Sequence, residues 1–384
     1  MTTKAPRETG IELGRIYCCF CVILIHLNFF IPTYPAISLA WSLAKCASTP
    51  VFFLIAGFFF AQDKPFSLYM KRILARVFIP LMVIMALIAQ LTPWLSSQGS
   101  FADCFKGPNL ENLILVGRII ITTWPYDYLP DYNPFLSLWF SFALLLCYLC
   151  IPILKMVCAE TLEAKRLKGY LIGLGGIFFI FRVTILCAFP DSFTAQKLDW
   201  WIEEKPFYWL WLMLIGHELA IHFKNPEFWR KWRGKLLPLS LLTYLLGGLI
   251  LYLLTMAYNI APDGLVDQRY FVREFVFYFL AQLGMFVFFC SLKPVRGIFG
   301  QIILFVADKT FYIYIIHEAV YIKLLAITGL DLTILANYLL FAVLTFALAL
   351  VLGSMFKAME KTIAKAIKNR FKAPTLKPTA ISQT

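Results

Sequence analysis

Ten apolar runs, each near the twenty residues that a helix needs to cross a bilayer, follow one another along this 384-residue chain. They fall at roughly 11–31, 37–61, 73–92, 135–156, 169–189, 206–223, 236–258, 270–291, 309–328 and 332–356. Hydrocarbon offers no partner to a backbone N–H or C=O, so each run must close its own hydrogen bonds as a helix. The expected fold is therefore all-α: a polytopic membrane protein of about ten transmembrane helices. The composition demands the same, with 60% hydrophobic and 15% charged residues, and 37 Phe against 22 Asp and Glu together. A soluble core cannot hide that much apolar surface, which excludes a cytosolic enzyme, a disordered chain or a small disulfide scaffold. The first run lacks a small-residue cleavage site and reads as a retained span.

The net charge of +13 would suggest nucleic acid in a soluble protein, but here the basic residues mark topology. With the N-terminus inside, Lys and Arg in the connecting segments favour the inner side by about four to one. Both termini are then cytoplasmic, as an even number of spans requires. The stretch 110–130, interrupted by Arg118, is expected to be an interfacial or re-entrant helix on the outer face. Residues 1–356 form the membrane domain. Residues 357–372 set Lys357, Lys361, Lys365 and Lys368 opposite Ile363, Ile367 and Phe371, the pattern of a basic amphipathic helix on the inner leaflet. Residues 373–384 are expected to be a disordered tail. All ten Cys except Cys104 lie in or at the ends of apolar runs, where a thiol acts as a small hydrophobe. No Cys pairs or Cys/His clusters suggest a disulfide framework or a bound metal.

Ionisable residues inside a span are costly and mark functional positions by default. The first span carries Glu12, Arg15 and His26. Eleven residues at 100° each bring Arg15 and His26 to one helix face, with a rise of about 16.5 Å, and Glu12 is one turn from Arg15, within ion-pair reach. A guanidinium at the cytoplasmic mouth can hold a phosphate-bearing donor through forked hydrogen bonds. An imidazole deeper in the membrane can serve as base or nucleophile. The same spacing equally describes a snorkelling arginine and a satisfied structural histidine. Lys71, Arg72 and Arg76 open the third span and can complete an anion site with Arg15, or can serve only as a positive-inside signal. His317 lies about 12 Å into the ninth span. His217, Glu218 and His222 lie in the sixth and Arg182 in the fifth.

In order along the chain, five segments resemble the acyltransferase-3 family of integral-membrane acyltransferases, which includes O-acetyltransferases of surface glycans. They are Glu12-x-x-Arg15 followed by His26; Pro50-Val51-Phe52-Phe53-Leu54-Ile55-Ala56-Gly57-Phe58; Lys71-Arg72 through Arg76 to Pro80; Leu138-Trp139-Phe140 to Tyr148 and Pro152; and Phe311-Tyr312-Ile313-Tyr314-Ile315-Ile316-His317. Two features depart from the family pattern: Ala56-Gly57 stands where Ser-Gly is usual, and Arg72 and Arg76 are four residues apart instead of three. The resemblance implies an enzyme of a bacterial inner membrane that takes an acyl group, usually acetyl, from cytoplasmic acyl-CoA to a hydroxyl of an envelope glycan or lipid-linked sugar. It implies His26 as the catalytic residue, Arg15, Arg72 and Arg76 as donor-binding, and Glu12, Trp139 and His317 in support. Acetyl-CoA enters as donor substrate, with no resident cofactor, no metal and no nucleic acid; the partners are acyl-CoA, the sugar acceptor and membrane lipids. The rival reading is a proton-coupled transporter that uses His217, Glu218 and His317 as a relay.

Overall fold

Helices account for nearly all of the regular structure, and the order in which they stop and restart shapes the interior. A computed structural model describes residues 9–27, 34–60, 65–95, 100–107, 110, 111, 114, 139–181, 184, 206–258 and 276–370. The expected interfacial helix at 110–130, Arg182 and the tail 373–384 fall wholly or almost wholly outside these residues. In chain order the helices are α1 (Thr9–His26), α2 (Pro35–Cys46), α3 (Thr49–Phe58), α4 (Phe66–Ile73), α5 (Ile79–Leu95), α6 (Trp139–Leu149) and α7 (Ile151–Val157). They continue with α8 (Leu162–Gly175), α9 (Pro206–Phe223), α10 (Pro226–Tyr258), α11 (Val276–Ser291), α12 (Gly297–Ala307), α13 (Thr310–Thr328) and α14 (Leu335–Arg370). A π turn at Leu74–Phe78 joins α4 to α5, and another at Gly176–Phe181 extends α8.

Among the described residues, five stretches are long and apolar enough to cross a membrane: Thr9–His26, Pro35–Phe58, Pro226–Leu254, Thr310–Thr328 and Leu335–Thr362. On α10, Leu239, Leu242, Leu246, Leu249 and Leu253 recur every three or four residues and are all exposed. Such a stripe on the outside of a folded chain is a surface made for acyl tails.

Local sequence explains several of the helix ends. Pro50 sits in the first turn of α3, where its missing N–H costs nothing, and the second apolar run breaks at Ala47–Ser48 instead of running straight. At the start of α10, the Asn225 side chain accepts hydrogen bonds from the N–H groups of Glu227 (2.9 Å) and Phe228 (3.4 Å), with Pro226 as the first helical residue. Gly329 closes α13 in the left-handed conformation, φ +59°.

Three helix boundaries differ from those of the apolar runs. The connection between the sixth and seventh runs shrinks to Lys224–Asn225, because α10 starts ten residues before the apolar run does and spans 33 residues. The segment before the ninth run, read as a loop, holds α12, which exposes Ile298, Phe299, Ile302 and Phe305. At 11 residues it is too short to span and escaped a twenty-residue window. The basic C-terminal segment is continuous with the last apolar run, since α14 carries on unbroken to Arg370.

Helix α1 packs against α2, α3, α11, α12, α13 and α14, which makes it the shared wall of the interior. Its first residue is tied to the α11–α12 connection by a 2.7 Å hydrogen bond from Val295 N–H to Thr9 Oγ1. Further along, the Cys19 thiol points at the carbonyl of Thr310, the first residue of α13. The Tyr338 hydroxyl of α14 donates to the carbonyl of Leu24. The end of α1 that carries His26 is thus held against α13 and α14.

Candidate active site

His26 is the last residue of α1, and its ring turns inward. Its Nδ1 lies 3.2 Å from Oε1 of Glu318, and its ring centroid is 5.2 Å from that of His317. Glu318 and His317 are adjacent in the middle of α13 and almost wholly buried. The His317 Nδ1 lies 2.6 Å from the carbonyl of Tyr314 one turn earlier, so that nitrogen carries the hydrogen and donates it. Its Nε2 finds no hydrogen-bond partner among the described residues. The Glu318 carboxylate, within ion-pair distance of His26 Nδ1, can balance a proton on that ring, and an Nδ1–H turned toward it leaves Nε2 as the basic nitrogen.

Arg15 sits three helical turns away on the same helix. Its Nη1 is 2.9 Å from Glu12 Oε2, the ion pair that the three-residue spacing suggested, and Glu12 is buried while Arg15 is partly exposed. The guanidinium opens into two adjoining cavities of about 270 and 260 Å³. Both are also lined by Ala56, Val77 and Tyr148. The first runs on past Phe52, Phe140 and Tyr314 and includes Asp308 at the turn between α12 and α13. The second is walled by Phe59, Phe60, Tyr69 and Ile73. His26 lines neither. It lies beyond Tyr314, whose ring touches the cavity on one side and is 5.7 Å from the His317 ring on the other.

The remaining sequence candidates distribute unevenly. Arg72 lies in α4 and Arg76 in the π turn that follows, and Trp139 begins α6. The side chains of these three are outside the described residues. A π turn takes up one extra residue in a helix. It is the local counterpart of the four-residue spacing between Arg72 and Arg76. The relay considered for a transporter divides in two. His317 joins His26, whereas Glu218 pairs with Lys168 at 2.5 Å and lies 3.8 Å from His222. Lys168 is buried in that pair.

Glu318 is the functional candidate that residue-by-residue reading undervalued. It directly follows His317 in the sequence, and the signal available was an acid in a span, costly unless partnered. His26, His317 and Glu318 bring ligand atoms within 4.8 Å of one another. Two imidazoles and a carboxylate are ligand types that zinc accepts, and this is the one such group of three among the described residues.

The arrangement sets the Arg15-lined cavity near a partly buried imidazole paired with a buried carboxylate, with Tyr314 and His317 between them. No match emerges among curated proteins or among solved structures. A family model described as an acyltransferase domain matches residues 8–354. That match takes in every helix from α1 through most of α14, with Arg15, His26 and Glu318 inside it, and so the chain belongs to the acyltransferase-3 family and is a membrane acyltransferase.

Proposed function

We propose that the protein transfers an acyl group, acetyl by preference, from cytoplasmic acyl-CoA to a hydroxyl of a cell-envelope glycan or its lipid-linked precursor. It does so from a bacterial inner membrane, as a ten-span protein with both termini inside. One observation carries the reading: the cavity lined by Arg15 reaches Tyr314, whose ring is 5.7 Å from His317, and His317 packs on the His26 that is paired with Glu318. Arg15 is held by Glu12 and keeps donor hydrogens for a phosphate of the CoA moiety, which a planar fork meets with two bonds at once. Arg72 and Arg76, at the entry to the third span, add cationic charge for the other phosphates. The acyl end of the donor is directed away from this charge, toward the aromatic end of the cavity.

In the chemical step His26 Nε2 takes the proton of the acceptor hydroxyl as its oxygen attacks the thioester carbonyl. The O–C bond forms, the C–S bond breaks, and the imidazolium returns the proton to the departing CoA sulfur, giving ester and free thiol. Glu318 holds the imidazole in the required tautomer and balances its charge while the proton is on it. His317 packs against His26, and Trp139 belongs to the same wall-forming segment as Phe140. The donor is a substrate, and no resident cofactor is needed.

The test is His26→Ala. A positioned base supplies about 10²–10⁴-fold, so acetylation of envelope glycans, read by mass spectrometry, should disappear while the variant accumulates normally in the membrane. Wild-type acetylation in that variant would remove His26 from the chemistry.

A further inference from the structure

Phe52 of α3, Phe140 of α6 and Tyr314 of α13 bring three rings from three helices to the deep end of the Arg15 cavity. Their centroids form a closed triangle: 5.4 Å from Phe52 to Phe140, 4.8 Å from Phe140 to Tyr314 and 6.3 Å from Phe52 to Tyr314. These are contact distances for aromatic rings, and through Tyr314, 5.7 Å from the His317 ring, the triangle stands between the cavity and the His317–His26 pair. The triangle is rigid on one side. Phe140 packs edge-on against Phe53 at 5.3 Å, and Phe53 stacks on the buried Trp209 at 4.5 Å. On the other side Phe52 is only half-buried and faces the cavity. It is the ring with room to turn.

We infer that this ring triangle is a size filter, set between donor binding and chemistry, that passes an acetyl thioester and stops longer acyl chains. The inference deepens the acyl-CoA reading above and rests on it. Turning Phe52 aside opens a gap bounded by Phe140 and Tyr314, which stay fixed, so the clearance is limited to about the width of a methyl and a carbonyl. Each methylene that a tight apolar passage must reject is worth about 10–200-fold in kcat/KM. Because the filter lies beyond Arg15, a longer acyl-CoA still docks by its phosphates and fails only at the transfer step. A binding pocket that selected by affinity would show the opposite split.

The experiment uses inside-out membrane vesicles of the native host carrying the full-length protein, supplied with radiolabelled acetyl-CoA or butyryl-CoA. Label in glycan measures transfer, and competition by unlabelled butyryl-CoA against acetyl-CoA on the purified protein measures docking. The expected result is butyryl-CoA competing within a few-fold of acetyl-CoA yet transferring at least about 10²-fold more slowly. Phe52→Ala and Phe140→Leu should each raise butyryl relative to acetyl transfer by at least about tenfold. Equal transfer of both donors by the wild type, exclusion of butyryl-CoA at docking, or an unmoved ratio in variants that still transfer acetyl would overturn the filter and leave the acyl-CoA reading intact. If neither variant transfers acetyl, the wild-type comparison alone decides. If the wild type neither binds acetyl-CoA nor labels glycan from it, the acyl-CoA reading itself fails.

Discussion

An imidazole is a useful base only when one nitrogen is committed and the other is left basic. In the proposed mechanism the commitment is made across the fold, where Glu318 of α13 lies 3.2 Å from His26 Nδ1. Glu318→Gln keeps the shape and a hydrogen-bonding group but lets the amide hold the wrong tautomer. The expected result is a fall of about 10²-fold or more in kcat with the KM for acetyl-CoA unchanged. Glu318→Asp, which restores the charge, should recover part of the loss, and steady-state kinetics on membrane vesicles would separate the two parameters. At the other end of α1, Arg15→Lys keeps the charge and loses the fork. With a charge-assisted hydrogen bond worth about 1.5 kcal/mol or more, the KM for acetyl-CoA should rise about tenfold while kcat holds. An unchanged KM would remove Arg15 from donor docking. His26, Arg15 and Glu12 were legible from spacing because they share one helix with fixed geometry. Glu318 was not, because its meaning comes from a neighbour hundreds of residues away.

At the scale of elements, the cavity exists because helices approach closely behind it and break in front of it. Helices α3 and α9 nearly touch along Gly57 and Gly216: a Cβ on Gly216 would come within 2.1 Å of the Leu54 carbonyl oxygen, and one on Gly57 within 2.0 Å of that of Met213. Small residues at such crossings let backbones approach without a side chain between them. Gly216→Ala should therefore force the pair apart, at a cost of about 1–3 kcal/mol, and lower the thermal stability of the detergent-solubilised protein; an unchanged melting temperature would show that the crossing is looser. In front of the cavity, the turn Asp308–Lys309 separates α12 from α13 and is latched by α14. Lys357 Nζ lies 2.5 Å from Asp308 Oδ1 and donates to the Asp308 carbonyl at 2.8 Å, and Tyr312 donates to Glu360.

The Asp308 carboxyl in this latch sits below its ordinary value of 3.8. Partial burial pushes it up, and the Lys357 hydrogen bond and charge, with Lys309, outweigh that. A depressed carboxyl stabilises the folded state above the ordinary range, and the gain is lost as pH falls through the folded value. Asp308→Asn should thus lower stability at neutral pH, and the gap to wild type should close on acidification toward and below 3.8. A gap independent of pH would assign the effect to packing. The sequence announced neither the turn nor its latch, because an apolar helix of eleven residues is too short to register as a span of about twenty.

For the whole molecule, the strongest expectation is its sidedness. The bias of Lys and Arg in the connections predicts both ends in the cytoplasm. Lys361 lies on the exposed surface of α14, past the last apolar run. Lys361→Cys should therefore react with a membrane-impermeant maleimide in inside-out vesicles and stay unlabelled in intact spheroplasts, with the unsubstituted protein as blank. The reverse pattern would invert the topology and put Arg15 on the wrong side for a cytoplasmic donor.

Hydrophobic content and its run lengths were enough, without coordinates, to make this chain a bundle of membrane helices, because a bilayer permits no other use of such segments. Helical periodicity alone then put Glu12, Arg15 and His26 on one face. Which residues stand opposite that face is a long-range question. The pairing of His26 with Glu318, the burial of Lys168 against Glu218 and the ring triangle of Phe52, Phe140 and Tyr314 each join different helices. Such contacts depend on how the helices cross and rotate against one another. Apolar spans facing lipid and apolar spans facing each other carry nearly the same residues, so only packing in three dimensions could decide them.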